Sequence, residues 1–345
     1  MDATQPAVEA EAANQAKQRT LLAIGDLHSD YYRMLRYLRE RDLLMPDTLA
    51  WNPEKNNVDV IFIGDYVDWR GEPLEAPNDQ LASDFSAGPR KIMEFIIMLS
   101  KELELLRKND PEFDSYCYPL VGNHDEMMLC STDIFKVMPM EALEEMLKDG
   151  KTMKNINKIF YDYCNTPENT DIVRHFLNWF TQGGSITIAS FGSFAAWKEA
   201  MEGEMGRFMR NNLYLAIVVN NRLFAHSLSD NPKYWKPVEE LAALPEDEYA
   251  KAKDAYLWGR KVWGYDFQAG GHTSPFTEDE IDNILSKIGC KSIVVGHTPI
   301  SRSTELITAY NGKVMNIDVH GFTGGKALVE DYIMPSGGIK TPLRS

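Results

Sequence analysis

Four short apolar runs in this chain each end in a glycine followed at once by a polar side chain: AIGD (23–26), FIGD (62–65), LVGN (120–123) and VVGH (294–297). A short apolar run bounded by a turn signal reads as a buried strand. Glycine lets the backbone reverse sharply, so that the next side chain leaves the strand end toward a common point. The same ending at four strands therefore constrains the fold more than any other feature. It predicts a layered architecture with one pole where the strand ends meet.

The text between these runs supports the layering. Residues 29–44 (SDYYRMLRYLRERDLL) have apolar residues at helical spacing after a cap at Ser29, and 88–110 read as a long amphipathic helix. Strands at 20–26, 58–65 and 116–123 alternate with these helices, which is the pattern of an α/β core. From Glu126 to Gln182 the chain turns charged, helical and broken by prolines, and reads as a helical insertion. The stretch 183–192 (GGSITIASFG) mixes a turn with a β-branched run and suggests a strand. Two strands joined at Asn220-Asn221 are expected in 212–227, an acidic helical stretch in 237–258, a buried strand in 291–298, a hairpin turning at Asn311-Gly312, and a closing strand in KALVEDYIM. Residues 1–19 and 336–345 read as tails, leaving one domain over 20–335.

Composition sets the outer bounds. The 345 residues suffice for a substantial core. A net charge of −15 repels polyanions, so nucleic acid is not expected as the main partner. The four cysteines are dispersed and read as reduced thiols. No apolar run is long enough to span a membrane, and the first residues lack the basic and apolar regions of a secretory signal, so the cytoplasm is the expected compartment.

Five polar clusters follow strand-like runs: Asp26 with His28, Asp65 with Asp68, Asn123 with His124, and the single residues His226 and His297. A single Gly-Asp is an ordinary turn, and a single histidine after a strand is usually a hydrogen-bonded structural residue. The set is different. Carboxylate, imidazole and amide donors together suit manganese, iron or zinc rather than a thiolate site. A pair of cations about 3.5–4 Å apart needs a shared carboxylate with ligands on either side. His175, His272 and His320 read as surface, loop and closing-segment residues, of which His320 has the best claim to line a site.

The motifs GDLH, GDYVDWRG, GNHD, AHS and GHTP resemble those of the calcineurin-like metallophosphoesterases, and within them the phosphoprotein phosphatases, particularly the bacterial branch. Weaker similarities lie in FLNWFTQGGSITIASFG, YLWGR and MNIDVHGFTGGKALV, so the resemblance spans roughly residues 20–332. It implies a four-layer α/β/β/α sandwich and a centre of two divalent metal ions, manganese first and iron or zinc next. Carried over motif by motif, Asp26 and His28 would bind one ion, Asp65 would bridge both, and Asn123, His226 and His297 would complete the second site. His124, held by Asp68, would be the general acid, and Arg70, Arg260 and Asn123 would bind the phosphate. A hydroxide shared by the two ions would be the nucleophile.

The implied substrate is a phosphomonoester, phosphorylated protein with Ser/Thr first. A dinucleoside polyphosphate is the alternative, and a catalytically silent metal-binding module a third reading. The family's GHxH ending is replaced by GHTP, where Pro299 offers no ligand, and this favours the phosphatase subset. Three departures from the bacterial pattern are local: Trp69 separates Asp68 from Arg70, Asp125 stands for a glutamate, and Ser29 stands for a glycine.

Overall fold

The computed structural model describes residues 17–69, 75, 88–149, 158, 161–263, 265–266, 271–272, 275–299, 305–319, 325–334 and 341–344. Its centre is two mixed sheets. The first has the order β11-β1-β2-β3, from Leu328–Met334, Lys17–Ile24, Val58–Phe62 and Tyr116–Pro119; β1, β2 and β3 are parallel and β11 is antiparallel to β1. The second has the order β12-β4-β5-β8-β10-β9, from Thr341–Arg344, Tyr214–Val219, Arg222–Ala225, Ser292–Val295, Val314–Asn316 and Ile307–Ala309. A separate two-stranded ribbon pairs β6 (Tyr265–Asp266) with β7 (Gly271–His272).

Alternation along the strands explains the sandwich. Leu21, Ala23, Ile61, Ile63, Tyr118 and Leu120 of the first sheet share one buried cluster with Ile217, Val219, Phe224 and Val294 of the second. Their neighbours Leu22, Ile24, Val60 and Phe62, with Leu223 and Val295, join the larger cluster made with the helices. Both faces of the strands are thus covered, which is why they read as continuous apolar runs rather than alternating ones. The sheets meet at one corner, where Leu120 bridges Tyr214 and the Val121 N–H donates to the Tyr214 carbonyl at 2.8 Å.

The helices with described bounds include α1 (Tyr31–Arg39), α2 (Gly88–Asn109), α3 (Asn123–Ser131), α4 (Met140–Asp149), α5 (Pro167–Trp179), α6 (Ser185–Phe191), α7 (Phe194–Glu202), α8 (Glu204–Asn212), α9 (Val238–Ala242), α10 (Glu246–Trp258) and α11 (Glu278–Ile288). In α11 the buried residues Ile281, Ile284, Leu285 and Ile288 form one apolar stripe along the helix. Among the described residues, no helix is long and apolar enough to cross a membrane.

Five local expectations are corrected. Helix α1 is capped by Asp30, whose side chain accepts from the Arg33 N–H at 3.1 Å, because Ser29 is taken up in a left-handed turn at φ 74°. The third strand stops at Pro119 and a helix begins at Asn123, since the Asp125 carboxylate turns back to accept the Gly122 N–H at 2.9 Å. Residues 185–191 are helical, not a strand. The β-branched run of Ile186, Thr187 and Ile188 is overridden by a π-turn over Phe180–Gly184 with Gly183 at φ 121° and by tertiary bonds of Thr187. At the start, β1 begins at Lys17, inside the expected tail. At the end, Thr341–Arg344 pair with β4 and bury Leu343, because β4 would otherwise present an open edge.

Candidate metal centre

Strand ends β1, β2, β5 and β8 and the N-terminus of α3 converge on one buried cluster. Asp26, His28, Asp65, Asn123, His226 and His297 are each no more than 3% exposed. Ligand atoms of Asp26, His28 and Asp65 lie within 4.8 Å of one another, and so do those of Asp65, His226 and His297. Asp65 belongs to both groups. His28 Nε2 is 3.5 Å and His226 Nε2 is 3.6 Å from Asp65 Oδ2. Oδ1 of Asn123 lies 2.9 Å from both His226 Nε2 and His297 Nδ1.

The backbone fixes how two of the imidazoles face. His226 Nδ1 is 3.1 Å from the Ile63 carbonyl, and His28 Nδ1 is 2.9 Å from the Asp68 carbonyl. A carbonyl only accepts, so in both rings Nδ1 donates to the backbone, and this leaves Nε2 as the ring atom that faces Asp65. Outer partners of this kind orient metal-binding histidines. Asp26 is held from the other side by the His297 N–H, at 3.0 Å to Oδ2 and 3.2 Å to Oδ1.

Strain gathers here. His28, Asp65, Asp68 and His297 have φ of 40°, 52°, 65° and 66°, the left-handed region that side-chain-bearing residues seldom occupy. Each such residue costs on the order of 1–3 kcal/mol, and such residues cluster at functional sites. The glycines relieve crowding rather than torsion at two points. A Cβ on Gly296 would fall 2.1 Å from Asp26 Oδ1, and one on Gly122 would fall 2.1 Å from Asp65 Oδ1. That is why glycine precedes the polar residue in these two runs.

His124 is fully buried beside His28, ring centroids 5.1 Å apart. Its Nδ1 is 2.8 Å from Asp68 Oδ2, and its N–H donates to Asp65 Oδ1 at 2.9 Å. Burial pushes the Asp68 carboxyl up from the usual range, while the bond from His124 pulls it back. Asp125 points away from the cluster. Its Oδ2 accepts from the Asp65 and Gly122 N–H groups at 2.8 and 2.9 Å, and its Oδ1 from the Tyr66 N–H at 3.0 Å. Burial and the nearby Asp65 push its carboxyl well up, against those three donors.

Arg260 donates through Nη1 to Thr298 Oγ1 at 3.1 Å and to the His297 carbonyl at 3.5 Å, so its guanidinium lies at the edge of the cluster. Arg70 and His320 lie outside the described residues, as does the side chain of His272. His175 is exposed on α5. Sequence reasoning missed two supports, Arg33 and Thr187. Arg33 is buried and donates through Nη2 to the Asp26 and Leu27 carbonyls at 2.9 and 3.1 Å, bracing the first loop. Thr187 bonds Asp68, and the only sequence hint was its place in the GGSIT text. Trp258 stands with its ring 6.1 Å from His297 and perpendicular to it.

The donor set fits metal ions. Buried carboxylates left to themselves cost several kcal/mol each, and cations are their usual compensation. Two interlocking groups that share one carboxylate, on a layered α/β sandwich, are typical of a metallophosphoesterase site. The chain belongs to the calcineurin-like phosphoesterase family, whose model matches residues 19–301. It is a metal-dependent phosphoesterase.

Among solved structures, a point mutant of a cold-active protein tyrosine phosphatase superposes with a TM-score of 0.50 at 17% identity, covering 94% of this chain and 80% of that one. A cold-active protein tyrosine phosphatase of a psychrophilic Shewanella species gives a TM-score of 0.46 at 17% identity, with 94% and 80% covered. No curated protein matches the chain in sequence.

Proposed function

We propose that the protein hydrolyses phosphomonoesters, with phosphorylated Ser/Thr residues of proteins as the leading substrate class. The observation that supports this most directly is the pairing of His124 with Asp68 beside a double ligand cluster that shares Asp65. Asp26, His28 and Asp65 would hold one divalent ion, and Asp65, Asn123, His226 and His297 the other. When bound, the ions supply Lewis acidity toward a phosphoryl oxygen and lower the pKa of water.

The remaining work falls to the chain. Arg260 offers planar N–H donors to phosphoryl oxygens at the edge of the cluster. His124 gives the proton on Nε2 to the ester oxygen as the P–O bond breaks, so the bonding pair leaves on an oxygen that departs as a neutral alcohol. General acids of this kind contribute about 10²–10⁴ in rate. Asp68 accepts from Nδ1 at 2.8 Å and holds the ring.

The test is a substrate panel after chelation and re-addition of manganese, iron or zinc singly. Phosphoserine, phosphothreonine and phosphotyrosine peptides and a dinucleoside tetraphosphate would be compared. Metal-restored turnover of the phosphoserine and phosphothreonine peptides above the other substrates is expected. Preference for the dinucleotide would replace the substrate, and no turnover with any metal would leave a binding module.

A further inference from the structure

Asp68 has a second buried partner. Thr187 Oγ1 lies 2.5 Å from Asp68 Oδ1, and the Asp68 N–H donates to the same Oγ1 at 3.0 Å. A hydroxyl has one proton. The amide cannot accept it, so it goes to the carboxylate, and the direction of the chain is fixed: Asp68 N–H to Thr187 Oγ1, Thr187 O–H to Asp68 Oδ1, His124 Nδ1–H to Asp68 Oδ2. All three residues are 0% exposed.

Much of the local structure serves to deliver this hydroxyl. Thr187 lies on α6, just past the π-turn. Gly183 in that turn packs so closely on the Asp68 loop that a Cβ would sit 2.8 Å from the Trp69 carbonyl oxygen and 3.0 Å from Asp68 Cβ. Asp68 itself is held at φ 65°. One side-chain oxygen thus ties down both the strained peptide and the carboxylate that it carries.

We infer that Thr187 is a positioning residue for the general acid, fixing the Asp68 carboxylate so that His124 presents its proton at the leaving oxygen. This rests on His124 being that acid. Thr187 does not touch substrate and acts only through Asp68. The helical segment after the π-turn is therefore a working part of the acid, not a decoration of the sandwich.

The experiment uses the metal-loaded protein and two leaving groups. p-Nitrophenolate departs without a proton; the alkoxide of a phosphoserine peptide needs one. Thr187→Val is expected to lower kcat on the peptide by about 10- to 100-fold, inside the range that a general acid supplies. KM should change little, and p-nitrophenyl phosphate should lose less than threefold. Thr187→Ser, which keeps the hydroxyl, should restore the peptide rate.

A second readout avoids turnover. The His124 Nδ1–H proton should give a slowly exchanging downfield resonance that Thr187→Val broadens and Thr187→Ser retains. His124→Asn is the reference and should show the same leaving-group split. Equal losses on both substrates for Thr187→Val, or none, with the split intact in His124→Asn, would overturn the role of Thr187 alone. Absence of the split in His124→Asn would overturn the acid itself, and the positioning role with it.

Discussion

Gly122 and Asp65 occupy nearly the same space: a Cβ on the glycine would lie 2.1 Å from Oδ1 and 2.3 Å from the peptide nitrogen of Asp65. The glycine's own φ of −99° suits any residue, so the demand is for room and not for torsion. Gly122→Ala should therefore push Asp65 off the cluster. Loss of at least 100-fold in kcat and of tight metal uptake, read by elemental analysis after dialysis, is expected. Gly312→Ala is the contrast. That glycine has φ 83° with nothing within 4 Å of its Cβ position, so the change should cost on the order of 1 kcal/mol of stability and leave activity intact.

Asp125 should prove indispensable without touching a ligand site. Its carboxylate collects three N–H groups, two on Oδ2 and one on Oδ1. Asparagine has the same shape but only one oxygen. Either orientation aims an NH₂ at a backbone N–H, leaving at least one buried donor unmet at a cost of about 1–3 kcal/mol. Asp125→Asn should lower the melting temperature and reduce kcat together, because the Asp65 peptide is what the lost bonds held. Unchanged melting would show that these bonds carry no weight.

How much of this was legible in the sequence depends on which residues one asks about. The convergence of Asp26, Asp65 and His297 was readable because each follows a glycine at a strand end, and that pattern recurs. The supports were not. Arg33 sits in a helix whose periodicity looks like any amphipathic surface helix, and only the fold turns it toward the Asp26 carbonyl. Thr187 lies in a β-branched run that local propensity assigns to a strand; the π-turn that makes it helical depends on contact with a loop more than a hundred residues earlier. Leu343 looked like a tail residue because nothing local says that β4 needs a partner on its outer edge. Bonds across such separations are set by topology, which a single sequence encodes only in sum.

At the other end of β1 a buried arginine holds the first sheet together. Arg19 Nε and Nη2 meet the two oxygens of Asp59 at 2.9 and 3.1 Å, Nη1 meets Asp114 Oδ2 at 2.5 Å, and the Tyr332 hydroxyl also donates to Asp59. Arg19→Met strands the Asp59 charge and should cost about 3–5 kcal/mol in denaturant unfolding. Adding Asp59→Leu should recover part of it, since the charge is then gone. Asp26 lies seven residues along the chain, so kcat per folded molecule should be unaffected in both. A fall in kcat would mean that the sheet transmits the change to the metal centre.

The buried tyrosines set an alkaline limit. Burial raises the hydroxyls of Tyr66, Tyr118, Tyr256 and Tyr332 above the ordinary value of about 10, and that of Tyr37 to about 12. In the unfolded chain they ionise near 10. Stability is thus fully present below pH 10 and falls as pH rises from there through the folded values, because the unfolded state sheds protons first. Absorbance at 295 nm should show these five ionising together with unfolding above pH 10. Smooth ionisation with native circular dichroism would contradict their burial.

Metal should be worth stability as well as activity. The cluster gathers two buried carboxylates, Asp26 and Asp65, whose charges repel and are poorly hydrated. A cation that binds only the folded chain stabilises it by RT ln(1 + [L]/Kd), about 2.7 kcal/mol at a hundredfold excess over Kd. Chelation should therefore lower the melting temperature, and re-added manganese should restore it with a concentration dependence of that form. Asp65→Asn removes the one carboxylate common to both ligand groups. Its metal-free form should melt at or above the metal-free parent, because a buried charge is gone, while its response to manganese should shrink sharply. A variant that still gained the full metal-dependent shift would show that Asp65 does not join the two sites.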